Sequence, residues 1–170
     1  MAKGKTWDVY LHGMFKWVRS PQLDQYGKWS AQCYPTPESL EVVRELQAKG
    51  LKNRLKKDDD GYFISIACPP SKDIGTKTLT WPAPVILDGS KKLADGTFPP
   101  LTVAVGNGST GVAKMETYEN GVPGTTNKSV AWRWRSLLVN ALVPYETTRD
   151  FNEAEQQQVA GLETQKEQLF

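Results

Sequence analysis

The chain has 170 residues, a formal net charge of +2 and 39% hydrophobic residues. A length of this order predicts one domain that buries its own core without disulfides or metal ions. No segment approaches the roughly 18 consecutive apolar residues of a membrane span, and the opening MAKGKTWDVY lacks the apolar core of a secretory signal. We therefore expect no membrane contact, and we expect Cys33 and Cys68 to be reduced core thiols of a cytoplasmic protein.

The charges are distributed unevenly along the chain. Residues 1–145 hold 19 Lys and Arg against 13 Asp and Glu, whereas residues 146–170 hold two basic and six acidic residues. A basic body with an acidic C-terminal tail predicts a polyanionic ligand and a tail that competes for the ligand's site. A solvated C-terminal helix with ordinary charges fits the same counts, so charge alone leaves both interpretations open.

The first third of the chain predicts a hairpin followed by a helix. Residues 7–19 and 28–35 are rich in β-forming residues and flank a polar segment, 20–27, that contains Pro and Gly. Thr36 suits the N-cap of the helix and Pro37 its first turn. The helix then carries an apolar stripe and a closing glycine: Leu40, Val43, Leu46, Gly50 and Leu51.

The remaining segments predict further strands and one long connection. Residues 55–61 (LKKDDDG) predict a charged turn, and residues 62–68 (YFISIAC) predict a strand. Residues 69–100 are rich in Pro and Gly and predict an ordered loop in which only APVILD resembles a strand. Two more strands are predicted at 111–119 and 128–143. About five strands, one helix and no strand–helix alternation predict a small antiparallel barrel or sandwich.

Catalytic and metal-binding patterns are weak. The chain's one histidine, His12, lies in a predicted strand and belongs to no nucleophile–base motif. His12, Cys33 and Cys68 lack the spacing of a zinc site. Asp58–Asp60 lacks the pattern of a calcium loop and predicts a solvated turn. The glycine-rich GNGSTG at 106–111 fits neither phosphate-binding fingerprint and predicts a turn or bulge.

Aromatic and basic side chains adjoin one another on several predicted strands. Proteins that bind single strands without reading sequence use this mixture, since bases stack on rings and cations follow the phosphates. A domain of this size also needs about half of its tryptophans in the core. The stacking candidates are Trp17, Trp29, Phe63, Trp132 and Trp134. The phosphate candidates are Lys16, Arg19, Lys28, Lys72, Lys77, Lys114, Arg133 and Arg135.

The tetrapeptide WRWR, Trp132–Arg135, concentrates this pattern. On a strand, its alternation puts both indoles on one face and both guanidiniums on the other. Val130 shares the parity of the indoles, whereas Leu137 and Val139 have the opposite parity, which predicts a bulge near Arg135–Ser136. Two interpretations stay open: both indoles are buried and the arginines contact phosphates, or at least one indole is exposed to a base.

Several stretches, taken in order, resemble a known family. They are YGKWSAQCYP, LQAKGLKNRLK, DDDGYFISIACPPSK, PAPVILDG, VGNGSTGVAKMETYE and LLVNALVPYE, and they span roughly residues 15–146. Together they resemble the single-stranded-DNA-binding proteins of tailed phages. The resemblance implies a mainly β fold: a five-stranded antiparallel OB-fold barrel with one helix and a long Pro/Gly-rich connection. It also implies a DNA-binding domain at 1–145 and a mobile acidic tail at 146–170.

The resemblance further implies what the protein does. Such proteins bind and protect single-stranded DNA during phage replication and recombination in the host cytoplasm, without catalysis or a cofactor. Their tails contact partner replication or recombination proteins, and Phe170 matches the terminal aromatic residue of such tails. OB folds bind their ligand across strands 2 and 3, between the first and last hairpin loops, here 20–27 and 119–128.

Three alternatives remain at this level. The chain could be a β-rich phage structural or assembly protein whose aromatic residues are all core. It could be an enzyme with a metal ion on Asp58–Asp60, or it could bind RNA through the same surface, because stacking does not discriminate sugars. The oligomeric state stays open, with a dimer among the alternatives.

Overall fold

The computed structural model describes residues 6–121 and 128–144. They form one helix and nine strands. The helix is α1 (Pro37–Ala48). The strands are β1 (Thr6–Arg19), β2 (Trp29–Pro35), β3 (Leu55–Asp58), β4 (Gly61–Cys68), β5 (Ser71–Ile74), β6 (Lys77–Thr80), β7 (Val85–Asp88), β8 (Ser109–Gly121) and β9 (Lys128–Ala141). The proposed tail at 146–170 and the loop between β8 and β9, residues 122–127, lie outside the described residues.

Seven strands form one mixed sheet in the order β3-β4-β2-β1-β8-β9-β7. All neighbours pair antiparallel except β7, which runs parallel to β9. The expected mainly β fold with one helix is therefore confirmed, but the sheet has seven strands instead of five, is mixed instead of antiparallel and is not a closed barrel. The sequence pattern identified the five long strands, and the strand-like APVILD contains β7, but the pattern missed the edge strand β3 and did not predict the parallel pairing of β7 with the distant β9.

The sheet curves around a single hydrophobic core. Its largest fully buried side chains include Trp134, Phe15, Leu11 and Ile64. Arg135 of β9 lies with its Nη1 3.6 Å from Cys68 Sγ of β4, although these two strands are not neighbours in the sheet. The curvature therefore brings the β4 and β9 regions together across the core.

Both cysteines are free and buried, as the sequence predicts. Burial raises the pKa of the Cys33 thiol to about 12, so that this group stays protonated at neutral pH. Burial also raises the pKa of Cys68. Both thiols thus pack as small apolar side chains.

The helix forms as its capping signals predict. The Thr36 hydroxyl accepts a hydrogen bond from Ser39 N, and Gly50 closes the C-terminus with φ of +106°. Val43, Leu46 and Leu51 are buried, whereas Leu40 is half-buried. Within the described ranges, no helix is both long and apolar enough to cross a membrane.

The predicted change of parity in β9 is confirmed as a β-bulge. Lys114 of β8 pairs with Ser136 and Met115 pairs with Trp134, which leaves Arg135 as the extra residue. Because of this one-residue shift, the side chains on both sides of the bulge enter the same core: Val130, Trp132, Trp134, Leu137 and Val139 are all buried.

The connection between β4 and β8 is more structured than its composition predicts. β5 and β6 form a two-stranded ribbon that pairs with no other strand of the described chain. The predicted turn at 55–61 is also partly wrong, because Leu55–Asp58 pairs with β4 as β3 and only the residues after it turn. The strands β3, β5 and β6 have mostly exposed side chains. Their charged or Gly-rich composition is typical of turns, and for this reason the sequence did not predict them as strands.

Candidate nucleic-acid interface

The outer surface of β2 and β4 is a shallow, polar strip. Cross-strand pairing places Ser30 beside Ala67 and Gln32 beside Ser65, and the ring of Tyr34 contacts the ring of Phe63. The residues that alternate with the paired ones point into the core and are buried: Trp29, Ala31, Cys33, Ile64, Ile66 and Cys68. We call this outward-facing surface the β2–β4 face; its residues are Ser30, Gln32, Tyr34, Phe63, Ser65 and Ala67.

The β2–β4 face continues into an open groove. The groove has a volume of about 620 Å³ and lies between the strands and the loop that joins β1 to β2. Its walls carry aromatic and basic side chains: Trp17, Arg19, Tyr26 and Lys28. An extended, polyanionic ligand with apolar flat groups fits a groove of this shape and composition.

Trp17 is held outward at the wall of this groove by a local backbone irregularity. The pairing of β1 with β2 shifts register between Lys16 and Arg19, and Trp17 adopts a φ of 53°. Its backbone N donates a hydrogen bond to Asn107 Oδ1 at 2.9 Å. The left-handed region is unusual for a bulky residue, and bulges re-aim side chains near functional sites. The result is an indole with 52% of its surface exposed.

The loop on the opposite wall presents a second exposed ring. Asp24 Oδ1 accepts hydrogen bonds from the backbone N of Tyr26 and of Lys28, at 2.8 and 3.0 Å. This bracing fixes the loop while Tyr26 remains 77% exposed. Sequence analysis missed Tyr26; the available signal was an aromatic residue at the tip of a loop already predicted to border the ligand.

The far end of the β2–β4 face is an ordered cluster of two rings and three charged groups. The rings of Tyr34 and Phe63 are 5.2 Å apart, and Lys16 Nζ lies 5.0 Å from the Tyr34 ring centre. Lys16 also forms an ion pair with Asp60, and the Tyr34 hydroxyl donates to Asp58. Phe63 is half-buried, so part of its ring stays open to solvent.

The same contacts keep these groups ionised. The hydrogen bond to Asp60 raises the pKa of Lys16, and the hydrogen bond from Tyr34 lowers the pKa of Asp58. Lys16 is therefore fully cationic at neutral pH, but it already has an anionic partner. A phosphate could bind Lys16 only in exchange for Asp60 or beside it.

Two cations that sequence analysis missed lie along the β3 side of this surface. Lys56 pairs with Phe63 on the side opposite the inward-packed Leu55, and Arg54 directly precedes β3 in the chain. Both cations are exposed and have no ion-pair partner within the described ranges. These cations were missed because the segment at 55–61 was predicted to be a charged turn and not a strand.

Three predicted stacking residues lie in the core. Trp134 is completely buried, Trp132 is 7% exposed and Trp29 is 9% exposed. The Trp134 and Trp29 ring N–H groups donate to the backbone oxygens of Ser136 and Pro21, both at 2.9 Å. The structure shows the burial that the first interpretation of WRWR expects, with both indoles inward and both arginines outward, whereas a phosphate contact of either arginine stays a prediction.

The outward arginines are nevertheless engaged within the protein. Arg133 pairs with Glu116 at 3.1 Å, and its guanidinium lies between the rings of Trp81 and Tyr118, 4.6 and 4.3 Å from their centres. Arg135 Nη1 lies 3.6 Å from Cys68 Sγ and 3.5 Å from the Pro82 oxygen. The segment around Trp81 thus covers both guanidiniums, and neither lines the groove.

Three other predicted cations are outside the groove. Lys114 pairs with Asp8 at 3.6 Å and lies opposite Tyr10, six residues and about 20 Å along β1 from Lys16. Lys72 and Lys77 are exposed on the β5–β6 ribbon, which begins just beyond the Cys68 end of β4. Phe170 lies outside the described residues.

No protein-family model matches the chain, and no curated protein matches it by sequence. Among solved structures, the chain is similar in fold to single-stranded-DNA-binding proteins of phages. In particular, the chain is similar to gp2.5, a single-stranded DNA binding protein encoded by bacteriophage T7. The TM-score is 0.52 at 14% identity, over 86% of this chain and 92% of that chain.

Two further similarities are to the single-stranded DNA-binding protein from bacteriophage Enc34. The full protein gives a TM-score of 0.47 at 11% identity, over 92% of this chain and 95% of that chain. Its C-terminal truncation gives 0.46 at 11% identity, over 81% and 88%. The similarity in fold to the T7 protein therefore agrees with the family resemblance that was seen in the sequence.

Proposed function

We propose that the protein binds single-stranded DNA along the β2–β4 face, without base specificity and without catalysis. The observation that carries the proposal is the position of Trp17. A bulge and an unusual backbone conformation expose this indole at the wall of a groove that also holds Tyr26, Arg19 and Lys28. The left-handed backbone of a bulky residue is strained, and such strain is typical of ligand-binding sites.

The chemistry of binding follows from these side chains. Bases stack on Trp17 and Tyr26 at one end and on Phe63 at the other, each stack contributing about 1–3 kcal/mol. Phosphates contact Arg19 and Lys28 near the loop. Neither kind of contact reads a donor–acceptor pattern on a base edge, so any sequence is accepted.

The order of the strands and the fold comparison extend the proposal to the protein's biological role. The five long strands pair in the antiparallel order β4-β2-β1-β8-β9, which fits an OB-like arrangement with β3 and β7 added at its edges. The T7 protein of similar fold is a single-stranded DNA binding protein. We propose, as the family resemblance of the sequence implies, that the protein acts in phage DNA replication and recombination in the host cytoplasm.

Intrinsic fluorescence tests the proposal. Trp17 is the most exposed tryptophan in the described ranges, and stacking of thymine on it should quench the emission during titration with poly(dT). The affinity should fall as salt rises, because bound phosphates release counterions. Absence of both quenching and binding at low salt would favour the β-rich structural protein, and equal affinity for poly(U) would leave RNA as a ligand.

We propose that residues 146–170 compete with DNA for the basic surface, since they carry six acidic and two basic residues. Deleting them should tighten poly(dT) binding and steepen its dependence on salt. The measurement is a salt series of binding isotherms for the full chain and the deletion variant. Identical affinities in the two proteins would exclude competition, while leaving the DNA-binding proposal intact.

A further inference from the structure

The most basic stretch of the chain lies at the edge of the sheet, beside the groove. Residues 44–57 contain six cationic residues against one acidic residue, Glu45. They run from α1 through the connecting segment into β3. β3 is an edge strand, and its three residues after Leu55 are exposed. This stretch holds more cationic residues than the groove, whose cations are Arg19 and Lys28.

Alternation along β3 places cations on both sides of this edge. Lys56 pairs with Phe63, whose ring lies on the β2–β4 face, and Lys57 pairs with Tyr62, which points to the other side. Arg44 of α1 also reaches Tyr62. Two neighbouring residues of one strand therefore connect the groove to a second surface behind it.

The second surface centres on a half-exposed ring with two cations near it. Tyr62 is 45% exposed. Lys57 Nζ lies 5.4 Å and Arg44 Cζ 6.0 Å from its ring centre. Neither cation has an ion-pair partner within the described part of the chain. An accessible ring with adjacent free cations is the combination that holds a stacked base and its phosphates.

We propose that single-stranded DNA leaving the groove crosses the β3 edge and continues on this second surface, where one base stacks on Tyr62. Lys56 guides the backbone up to the edge, and Lys57 with Arg44 holds it beyond the edge. The proposal rests on the proposed function, because the strand is the one bound in the groove. It extends the site by a surface that none of the predicted site residues includes.

Continuity with the groove favours DNA over a separate acidic peptide. The cations form an unbroken series from Lys56 on the groove side to Lys57 and Arg44 behind it. An independent peptide site would not require cations on both sides of the edge. A wrapped strand would, since its phosphates repeat at every nucleotide.

The length of the oligonucleotide separates the two surfaces. The short probe is the shortest oligo(dT) that saturates the Trp17 quench of the full chain, and the long probe is an oligo(dT) of roughly 16 nucleotides, the upper site size of one OB fold. In the full chain, Tyr62→Ala should weaken the long probe by about 5- to 150-fold, the loss of one stack. It should leave the short probe unchanged.

Matched variants control this experiment. Tyr62→Phe keeps the ring and should bind the long probe like the unmodified protein. Tyr10→Ala removes another half-exposed tyrosine, at the distant part of β1, and should change neither affinity. Equal binding of the long probe by the Tyr62→Ala variant and the unmodified protein would overturn the inference, as would equal weakening of both probes. Absence of binding by the unmodified protein would instead refute the proposed function.

The salt dependence gives an independent reading. The double variant Arg44→Gln/Lys57→Gln should reduce the slope of log affinity against log salt by about 1.4 for the long probe, since each phosphate contact on a single strand contributes about 0.7. The slope for the short probe should not change. The control is Lys91→Gln/Lys92→Gln, which removes two exposed lysines in the long connection. If the control and the test variant give equal slopes of log affinity against log salt for the long probe, DNA does not contact Arg44 and Lys57, and the inference is wrong.

Discussion

Replacing Trp134 by alanine is expected to lower the free energy of unfolding by about 3–5 kcal/mol. Trp134 is completely buried, and its ring N–H donates to Ser136 O at 2.9 Å. Alanine would leave a large cavity beside the bulge in β9 and an oxygen without its donor. For a chain of this size the melting temperature should fall by about 6–20 °C.

Urea unfolding followed by circular dichroism measures this loss. The control is Trp17→Ala, whose indole is half-exposed and should change the free energy of unfolding by no more than about 0.5 kcal/mol. A Trp134→Ala variant as stable as the unmodified protein would show that this indole is not in the core. Because residues alternate sides along a strand, the outward orientation assigned to Arg133 would then also be wrong.

The second large effect is on DNA affinity. Trp17→Ala should weaken poly(dT) binding by about 5- to 150-fold, the loss of one stacked base. It should also remove most of the fluorescence quench, since Trp29, Trp132 and Trp134 are buried away from the ligand. Equilibrium binding is measured by anisotropy of a labelled oligonucleotide, which does not depend on tryptophan emission.

Trp17→Phe is the matched variant for this prediction. It keeps an aromatic ring at the bulge and should retain much of the affinity while losing the quench. A Trp17→Ala variant with unchanged affinity and a full quench would remove Trp17 from the interface. The poly(dT) signal would then have to come from Trp7 or Trp81, the two half-buried tryptophans.

Features set by neighbouring residues could be predicted from the sequence. The helix followed from Thr36 and Pro37 at its start and Gly50 at its end, because caps act within one turn. The bulge at Arg135 could be predicted because the apolar residues before it have even numbers and those after it, Leu137 and Val139, have odd numbers. Both sets can face one core only if the strand shifts by one residue between them. Both outcomes could be predicted because the residues that determine them lie close together in the chain.

Features set by distant partners could not be predicted. Trp17 and Trp29 both adjoin the loop at 20–27, yet one is exposed and the other is core. The difference depends on a register shift in β1 and on a hydrogen bond to Asn107, 90 positions away. Likewise, Trp81 comes from a Pro-rich connection to cover Arg133, and no local signal at Arg133 indicates this.

The basic edge was missed for a related reason. LKKDDDG has the composition of a solvated turn, and it becomes partly a strand only because Leu55–Asp58 finds a partner in β4. Once that pairing is known, Lys56 lies on the groove side of the sheet and Lys57 on the other side. The sequence shows that the cations are present, but only the pairing with β4 shows which side of the sheet each one occupies.

Ultraviolet cross-linking of a short oligo(dT) to the full chain, followed by mapping of the linked peptides, tests the central claim most directly. If DNA lies along the β2–β4 face, the linked peptides will contain Trp17, Tyr26 or Phe63, and rising salt will suppress them together. Cross-links confined to peptides outside β1, β2, β4 and the loop at 20–27, at saturating oligonucleotide and low salt, would contradict the account.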